Sequence, residues 1–461
     1  MRLVLAGLML AMLLGALDQT IMAPALPVVA GSLGGLDQMP AVIGAYLVAA
    51  TVVMPVYGRL GDRFGRKPLM QAAIVIFVAG AALCALAGSM PQFVAFRAVQ
   101  GVGGGGLMIG AQAIIGELVS LRERGRYLGL IGAAYVVAAV GGPLLGGFIV
   151  DRAHWRWIFA VYPPLGLVAL VLLTATLRLP RPTSRAPIDY AGALALAVAV
   201  VGVVLLGQTR NPVFLAVAAA GAVAWLVSAR FAADPILPLR LFRDRAFAIP
   251  VAISLLIGFA LFGTITYLPA YMQIALGSSA TRAGLLVTAL MGGVLATTIV
   301  SGRLIARTGR YKPYPVAGTA VASLGLALLS FANGAGPTAI AGAMLLIGLG
   351  VGLVMQVMVL AAQNAVGYAD LGAATSAVTF TRQIGASAGV ALAGALITWR
   401  FAGGIPATVP TALPGSVRAA FAEAVPPVFG AMAPLPALAF VLALALPARP
   451  LRTTAYAEER A

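Results

Sequence analysis

The sequence predicts an all-α polytopic membrane protein with about fourteen transmembrane helices, arranged as two six-helix halves with two helices between them. Three observations predict it. With 61% hydrophobic and 9% charged residues, the chain falls far short of the roughly 25% charged residues of a soluble domain. Its mean hydropathy is +1.01. Apolar segments of membrane-crossing length recur along the whole chain, and a basic, glycine-bounded motif occurs twice.

A helix that crosses a hydrocarbon core of about 30 Å takes about 20 residues. Such segments fall near residues 3–23, 40–58, 70–88, 92–115, 127–150, 156–177, 190–207, 212–230, 248–270, 284–306, 314–332, 337–362, 372–400 and 430–448. The 55 Gly and 29 Pro are dispersed through these runs, as membrane helices tolerate. The first segment could be a cleaved leader ending at Ala23-Pro24-Ala25, but Asp18 inside the apolar stretch argues for a retained helix. The division expected is 1–180 for the first half, 181–245 for the inserted helices and their flanking loops, and 246–461 for the second half. The inserted pair is expected at the periphery and to be dispensable for the cycle. The Pro-, Gly- and Thr-containing stretch near 401–429 reads as an extracellular loop.

Charge orients the spans. The gaps after even-numbered segments carry Arg59, Arg63, Arg66 and Lys67; Arg122, Arg124 and Arg126; Arg178, Arg181 and Arg185; Arg230, Arg240, Arg243 and Arg245; and Arg303, Arg307, Arg310 and Lys312. The alternate gaps are poorer in basic residues, so the positive-inside rule places both termini in the cytoplasm. The same distribution accounts for the net charge of +17 without nucleic acid, whose binders gather basic residues on one solvated face. The single cysteine, Cys84, excludes an intrachain disulfide and a thiolate metal cage. The single histidine, His154, reads as an interfacial residue beside Trp155 and Arg156. The run Gly101-Val102-Gly103-Gly104-Gly105-Gly106 lacks the Lys-Ser/Thr of a phosphate loop and reads as close helix packing. No cofactor is expected.

The repeated motif is Gly58-Arg59-Leu60-Gly61-Asp62-Arg63-Phe64-Gly65-Arg66-Lys67, returning as Gly302-Arg303-Leu304-Ile305-Ala306-Arg307-Thr308-Gly309-Arg310. Each copy follows the second helix of a block of six. Two related halves with a midplane site between them are a transporter architecture. In these residues the chain resembles the major facilitator superfamily, and within it the fourteen-helix drug:proton antiporters. The likeness extends to Leu17-Asp18-Gln19-Thr20-Ile21, Arg97-Ala98-Val99-Gln100-Gly101, Gly142-Pro143-Leu144-Leu145-Gly146-Gly147, Leu268-Pro269-Ala270-Tyr271-Met272-Gln273, and Ser376, Arg382-Gln383 and Gly385. It departs at Tyr162-Pro163-Pro164, where family members often carry Asn, and at Ala41-Val42-Ile43, where a Trp is usual.

The resemblance implies the major facilitator fold and a set of roles. Asp18 and Arg97 would couple protons. With a rise of 1.5 Å per residue, Asp18 lies about 22 Å from the cytoplasmic edge, and Arg97 about 8 Å inside the opposite edge of a 30 Å core, one common level. Burial and a neighbouring guanidinium pull a carboxyl's proton affinity in opposite senses; a static buried ion pair is the other reading. Gly58, Asp62, Arg63, Gly65, Arg66 and Glu117 would form a conformational latch. Gly142, Pro143, Gly146 and Gly147 would form the motif that the family associates with export, whereas the residues alone say only small-residue packing. Gln19, Tyr46, Gln112, Tyr135, Tyr267, Gln273, Gln356 and Arg382 are candidates for the substrate cavity. Arg382 lies about 16 Å into its helix and needs a partner or a wet cavity, in a structural or a substrate-contact role.

The reading that unites these residues is a non-enzymatic, proton-coupled antiporter in a bacterial inner (cell) membrane, monomeric in the bilayer. It would export amphiphilic small molecules, cationic ones among them, such as drugs, antibiotics or secondary metabolites. Alternatives are an exporter of an endogenous lipid or metabolite, and a non-transporting sensor on the same fold. A membrane-embedded enzyme would need clustered Asp, Glu or His at a membrane face, which one His and 13 acids do not supply.

Overall fold

Long aliphatic runs satisfy their backbone groups in lipid only by coiling into helices, and among the described residues every regular element is helical. The computed structural model describes residues 2–34, 38–179, 189–209, 211–277, 280–333, 336–400 and 415–451. The first group of helices comprises α1 (Arg2–Leu33), α2 (Met39–Phe64), α3 (Arg66–Leu86), α4 (Met90–Leu118), α5 (Leu121–Arg152), the short α6 (Trp157–Ala160) and α7 (Tyr162–Thr176). Two helices follow, α8 (Tyr190–Thr209) and α9 (Val213–Phe231). The remainder are α10 (Arg245–Ile265), α11 (Leu268–Ile274), α12 (Ala280–Thr308), α13 (Pro313–Leu329), α14 (Pro337–Asn364), α15 (Leu371–Arg400), α16 (Gly415–Ala424), α17 (Pro426–Met432) and α18 (Pro434–Leu444).

Among the described residues thirteen candidate spans are long and apolar enough to cross a membrane, and α13 adds a shorter apolar helix of 17 residues. The sequence places a span at each of these fourteen positions. Prolines explain where helices break. Pro163 and Pro164 open α7 and Pro269 opens α11, first-turn positions where the missing N–H costs nothing. The same effect operates in the stretch near 401–429, which is helical in its second part. Residues 401–414 lie outside the described residues, but 415–432 form α16 and α17 and lead into α18. Pro426 and Pro434 begin helices there, so proline marks their starts and not a loop. Helix α1 likewise continues past Ala23 through Pro24 and Pro27 to Leu33.

Small residues set the spacing of the bundle, because lipid offers no hydrophobic drive and helices associate by close packing. The glycine run of α4 is used on two sides. Gly101, Gly104 and Gly105 lie against Tyr46 and Ala50 of α2, while Gly103 lies against the backbone of Phe77 in α3. A Cβ at position 103 would come within 2.6 Å of Phe77 Cα, so neither backbone can relax away cheaply. Gly103→Val is therefore expected to cost about 1–3 kcal/mol of stability by overpacking. The measurement is the thermal unfolding midpoint in detergent; an unchanged midpoint would show that α3 and α4 are not held this close.

The helix pairs that position the site are α1 with α5 and α7, α2 with α15, and α5 with α12. Helix α8 packs on α9 and also on both α2 and α15, whereas α9 is largely exposed. Only α9 answers to a purely peripheral place.

Candidate functional site

Asp18 is fully enclosed, with none of its surface exposed. Helix α1 carries it into the bundle, and Arg97 on α4, 2% exposed, donates from Nη1 to both carboxylate oxygens at 2.8 Å. One helical turn on from Arg97, Gln100 completes the set. Its Oε1 accepts from Arg97 Nη1 at 2.8 Å, and its Nε2 donates to Asp18 Oδ1 at 2.9 Å. The guanidinium lies 4.5 Å from the ring centre of Tyr46, a cation–π contact that strengthens as water is excluded. The Tyr162 phenol of α7 also faces the carboxylate. Tyr46 is 1% exposed and donates to Gly15 O at 3.4 Å. It therefore belongs to this closed cluster.

The Gly58–Lys67 motif ends α2 and begins α3. Asp62 leaves α2 to accept from Gly372 N at 2.8 Å and Ala373 N at 3.1 Å. These are first-turn N–H groups of α15, so the carboxylate caps that helix and meets the positive end of its dipole. Arg66 donates to Asp62 at 2.6 Å and to Glu117 of α4 at 2.5 Å, and Tyr368 donates to Glu117 at 2.6 Å. Gly58 and Gly372 touch backbone to backbone: a Cβ at position 58 would stand 2.6 Å from Gly372 O. Gly65 holds the turn at φ 93°, a region that favours glycine. Arg63 takes no place in the chain Asp62–Arg66–Glu117–Tyr368; its guanidinium lies 5.0 Å from the Phe64 ring centre.

The second copy of the motif does the same on the other flank without the carboxylate. Gly302 of α12 touches Gly125 of α5, and Gly309 turns with φ 70°. Ala306 stands where the first copy has Asp62, and Arg122 binds the backbone oxygens of Ala306 and Arg307 at 3.2 and 3.1 Å. Arg124 is wholly buried; it donates to Gln363 Oε1 of α14 at 3.0 Å and to the Gly116 and Val119 carbonyls. Arg59 pairs with Asp234, in the segment after α9, and lies 3.4 Å from Asp370, which Arg240 also binds at 2.8 Å. Both flanks close the bundle at the end that carries the basic loops.

In α5, Gly142 and Gly146 lie against Thr20 and Ile21 of α1. Thr20 Oγ1 donates to Ala138 O at 2.8 Å, so this stretch of the motif docks α5 on the helix that carries Asp18. Pro143 is exposed within a continuous helix, and Gly147 has open space around its Cα.

The family model for the Major Facilitator Superfamily matches residues 8–390. The chain belongs to that superfamily. An uncharacterized MFS-type transporter of Mycobacterium tuberculosis is 37% identical over 97% of this chain and 70% of its own length. The multidrug transporter protein MdtP of Bacillus subtilis is 34% identical over 86% of this chain and 75% of its own. In fold, the chain resembles the human organic anion transporter MFSD10 with TM-score 0.70, at 17% identity, over 96% of this chain and 99% of that one. This is therefore a multi-pass membrane transporter for a small molecule, not an enzyme.

As a facilitator it needs a central cavity, and the cavity candidates divide. Gln112 is buried and accepts from Thr379 of α15 at 3.2 Å, and Tyr267 donates to Val390 O at 3.1 Å. Both bond to α15. Gln19 reaches Met108 Sδ at 3.7 Å, and Gln273 is half-buried on α11. Tyr135, Gln356 and Arg382 come from α5, α14 and α15. Sequence reasoning left Gln100, Tyr162, Arg124, Asp370 and Asp234 off the site. Gln100 was legible as the i+3 neighbour of Arg97; the others owe their place to partners distant in sequence.

Proposed function

We propose that the protein is a proton-coupled antiporter that exports small amphiphilic molecules, with Asp18 as the proton carrier. The observation that carries this reading is the Asp18–Arg97–Gln100 cluster, a carboxylate without solvent contact that is held by a permanent cation and an amide. A charge at that depth is costly and is a functional candidate by default. Protonation would free Arg97 and Gln100 from Asp18, and re-ionisation would rebind them, which gives the site two states. Because Gly142 and Gly146 dock α5 on the same stretch of α1, a change at Asp18 is mechanically adjacent to α5. The opposite end of α5 meets α12 at the closed flank.

On the positive-inside reading the closed end is cytoplasmic, so the conformation is sealed inward, and both termini lie in the cytoplasm. The chain then divides at about 1–180, 181–245 and 246–461 and works as a monomer in a bacterial inner membrane. Export as the direction is supported by a relative named as an efflux pump, FUS6 of Gibberella fujikuroi, 31% identical over 86% of this chain. The test is purified protein in liposomes under an imposed pH gradient, with a chemically diverse fluorescent panel. Uphill movement of at least one compound, collapsing with a protonophore, is expected; movement indifferent to the gradient for every compound would refute proton coupling.

A further inference from the structure

Arg382 is the one of these charges whose partner is missing from the mechanism above. It lies mid-helix in α15, 8% exposed, and its Nη1 is buried without a hydrogen-bond partner. The titratable group that meets it is the Tyr135 phenol of α5, which carries no negative charge to offset a guanidinium. Asp18 is already committed to Arg97 and Gln100. Asp62, Glu117 and Asp370 are committed to the latch. A buried cation without a counter-ion costs several kcal/mol as an order of magnitude, and such a charge facing a transport pathway marks a ligand site.

Position agrees. Among the bonds named above that join α1–α7 to α10–α18, Thr379 to Gln112 lies deepest from the closed end. Arg382 stands one turn beyond Thr379, about 4.5 Å farther from that end at 1.5 Å per residue. On α5, Gly132 lies against Thr298 and Gln356, and Tyr135 stands one turn beyond it. Tyr135 and Gln356 are both half-buried, and Gln356 Oε1 is a buried acceptor without a partner. Above the seal, Arg382 of α15 and Gln356 of α14 each keep a buried polar atom without a partner. Gly258 of α10 lies against the Arg382 backbone and within 3.1 Å of its Cγ by the position of a Cβ, which fixes the base of the side chain.

From this placement we infer that Arg382 is the receptor for an anionic head group, a carboxylate or its equivalent, on the transported amphiphile, with the Gln356 amide oxygen accepting from a neighbouring donor of the same molecule. The inference rests on the transport reading but deepens it: the substrate is acidic or zwitterionic, in contrast to the cationic compounds considered from sequence. Guanidinium and carboxylate suit one another by charge and by paired N–H donors.

The test is equilibrium binding, which needs no gradient and so stands apart from proton coupling. The probes are 1-pyrenebutyrate, its neutral amide 1-pyrenebutyramide, and a pyrenebutyl-trimethylammonium, measured against protein-free phosphatidylcholine nanodiscs. Wild type is expected to bind the carboxylate at least about tenfold more tightly than the amide, the ratio set by a charged hydrogen bond, and the ammonium most weakly. Arg382→Gln should erase the carboxylate-to-amide ratio while leaving amide affinity unchanged, and Arg382→Lys should retain part of it. A wild type that binds amide or ammonium as well as the carboxylate, or no carboxylate at all, overturns the proposal without recourse to any variant. So does a ratio that survives in Arg382→Gln. A purely structural arginine would lower the affinity of all three probes together.

Discussion

Asp18→Asn is expected to reduce gradient-driven transport to the leak rate of protein-free liposomes while leaving gradient-independent exchange of the same substrate in place. The amide keeps the volume and can still accept from Arg97 and Gln100, but it cannot bind and release a proton. The alternative, that Asp18 and Arg97 are a static brace, predicts something different. Removing one member of a buried pair leaves the other uncompensated, at a cost of about 3–5 kcal/mol, so a brace would fail in exchange as well as in gradient-driven transport. The double variant Asp18→Asn with Arg97→Gln separates the two readings further. It removes both charges, which is often near neutral for stability. If the double variant folds and still transports in proportion to the imposed gradient, Asp18 is not the carrier.

The fold was legible because the membrane imposes one rule on every residue: backbone polar groups must be satisfied within the segment, so apolar length alone locates the spans. Helix ends were less legible where proline occurs. Pro426 reads as loop, yet begins a helix. The Asp18–Arg97 meeting was legible as a common depth, a one-dimensional quantity obtained by counting residues. What counting cannot give is azimuth, and that is where the cavity assignments divided. Tyr46 and Gln112 sit at plausible depths, but they turn into helix interfaces. The latch shows the same limit. Asp62 was recognisable, but its receptors are main-chain N–H groups at positions 372 and 373, which no side-chain pattern announces. Asp370, at the start of α15, and Asp234, in the segment after α9, both reach Arg59 of α2, and α8 packs on α2 and α15 beside them. That contact ties the segment after the inserted helices to the latch, so the pair α8–α9 is less detached from the gate than its insertion between the halves implied.

Gly58→Leu is expected to abolish transport by a different route, at the closed end of the bundle. The closed arrangement brings Gly58 and Gly372 into backbone contact, and a Cβ at 58 would stand 2.6 Å from both Gly372 O and Ser376 Oγ. Backbone cannot yield as a flexible side chain can, and the Asp62 cap on α15 depends on the same approach. The substitution should therefore hold α2 away from α15 and leave the protein in states where this end is open. A population driven from mostly closed to mostly open needs a bias of several kcal/mol, which an unavoidable steric overlap of two backbones supplies. The readout is cross-linking by a flexible bis-maleimide between Arg122→Cys and Arg307→Cys, placed in a Cys84→Ser background, since these two positions meet on the opposite flank of the seal. Efficient cross-linking in the parent and its loss in Gly58→Leu are expected. Gly147→Leu is the comparison, because open space surrounds that position and both cross-linking and transport should survive. Undiminished cross-linking in Gly58→Leu would mean that the two flanks of the seal close independently, and that Gly58 and Gly302 do not belong to one gate.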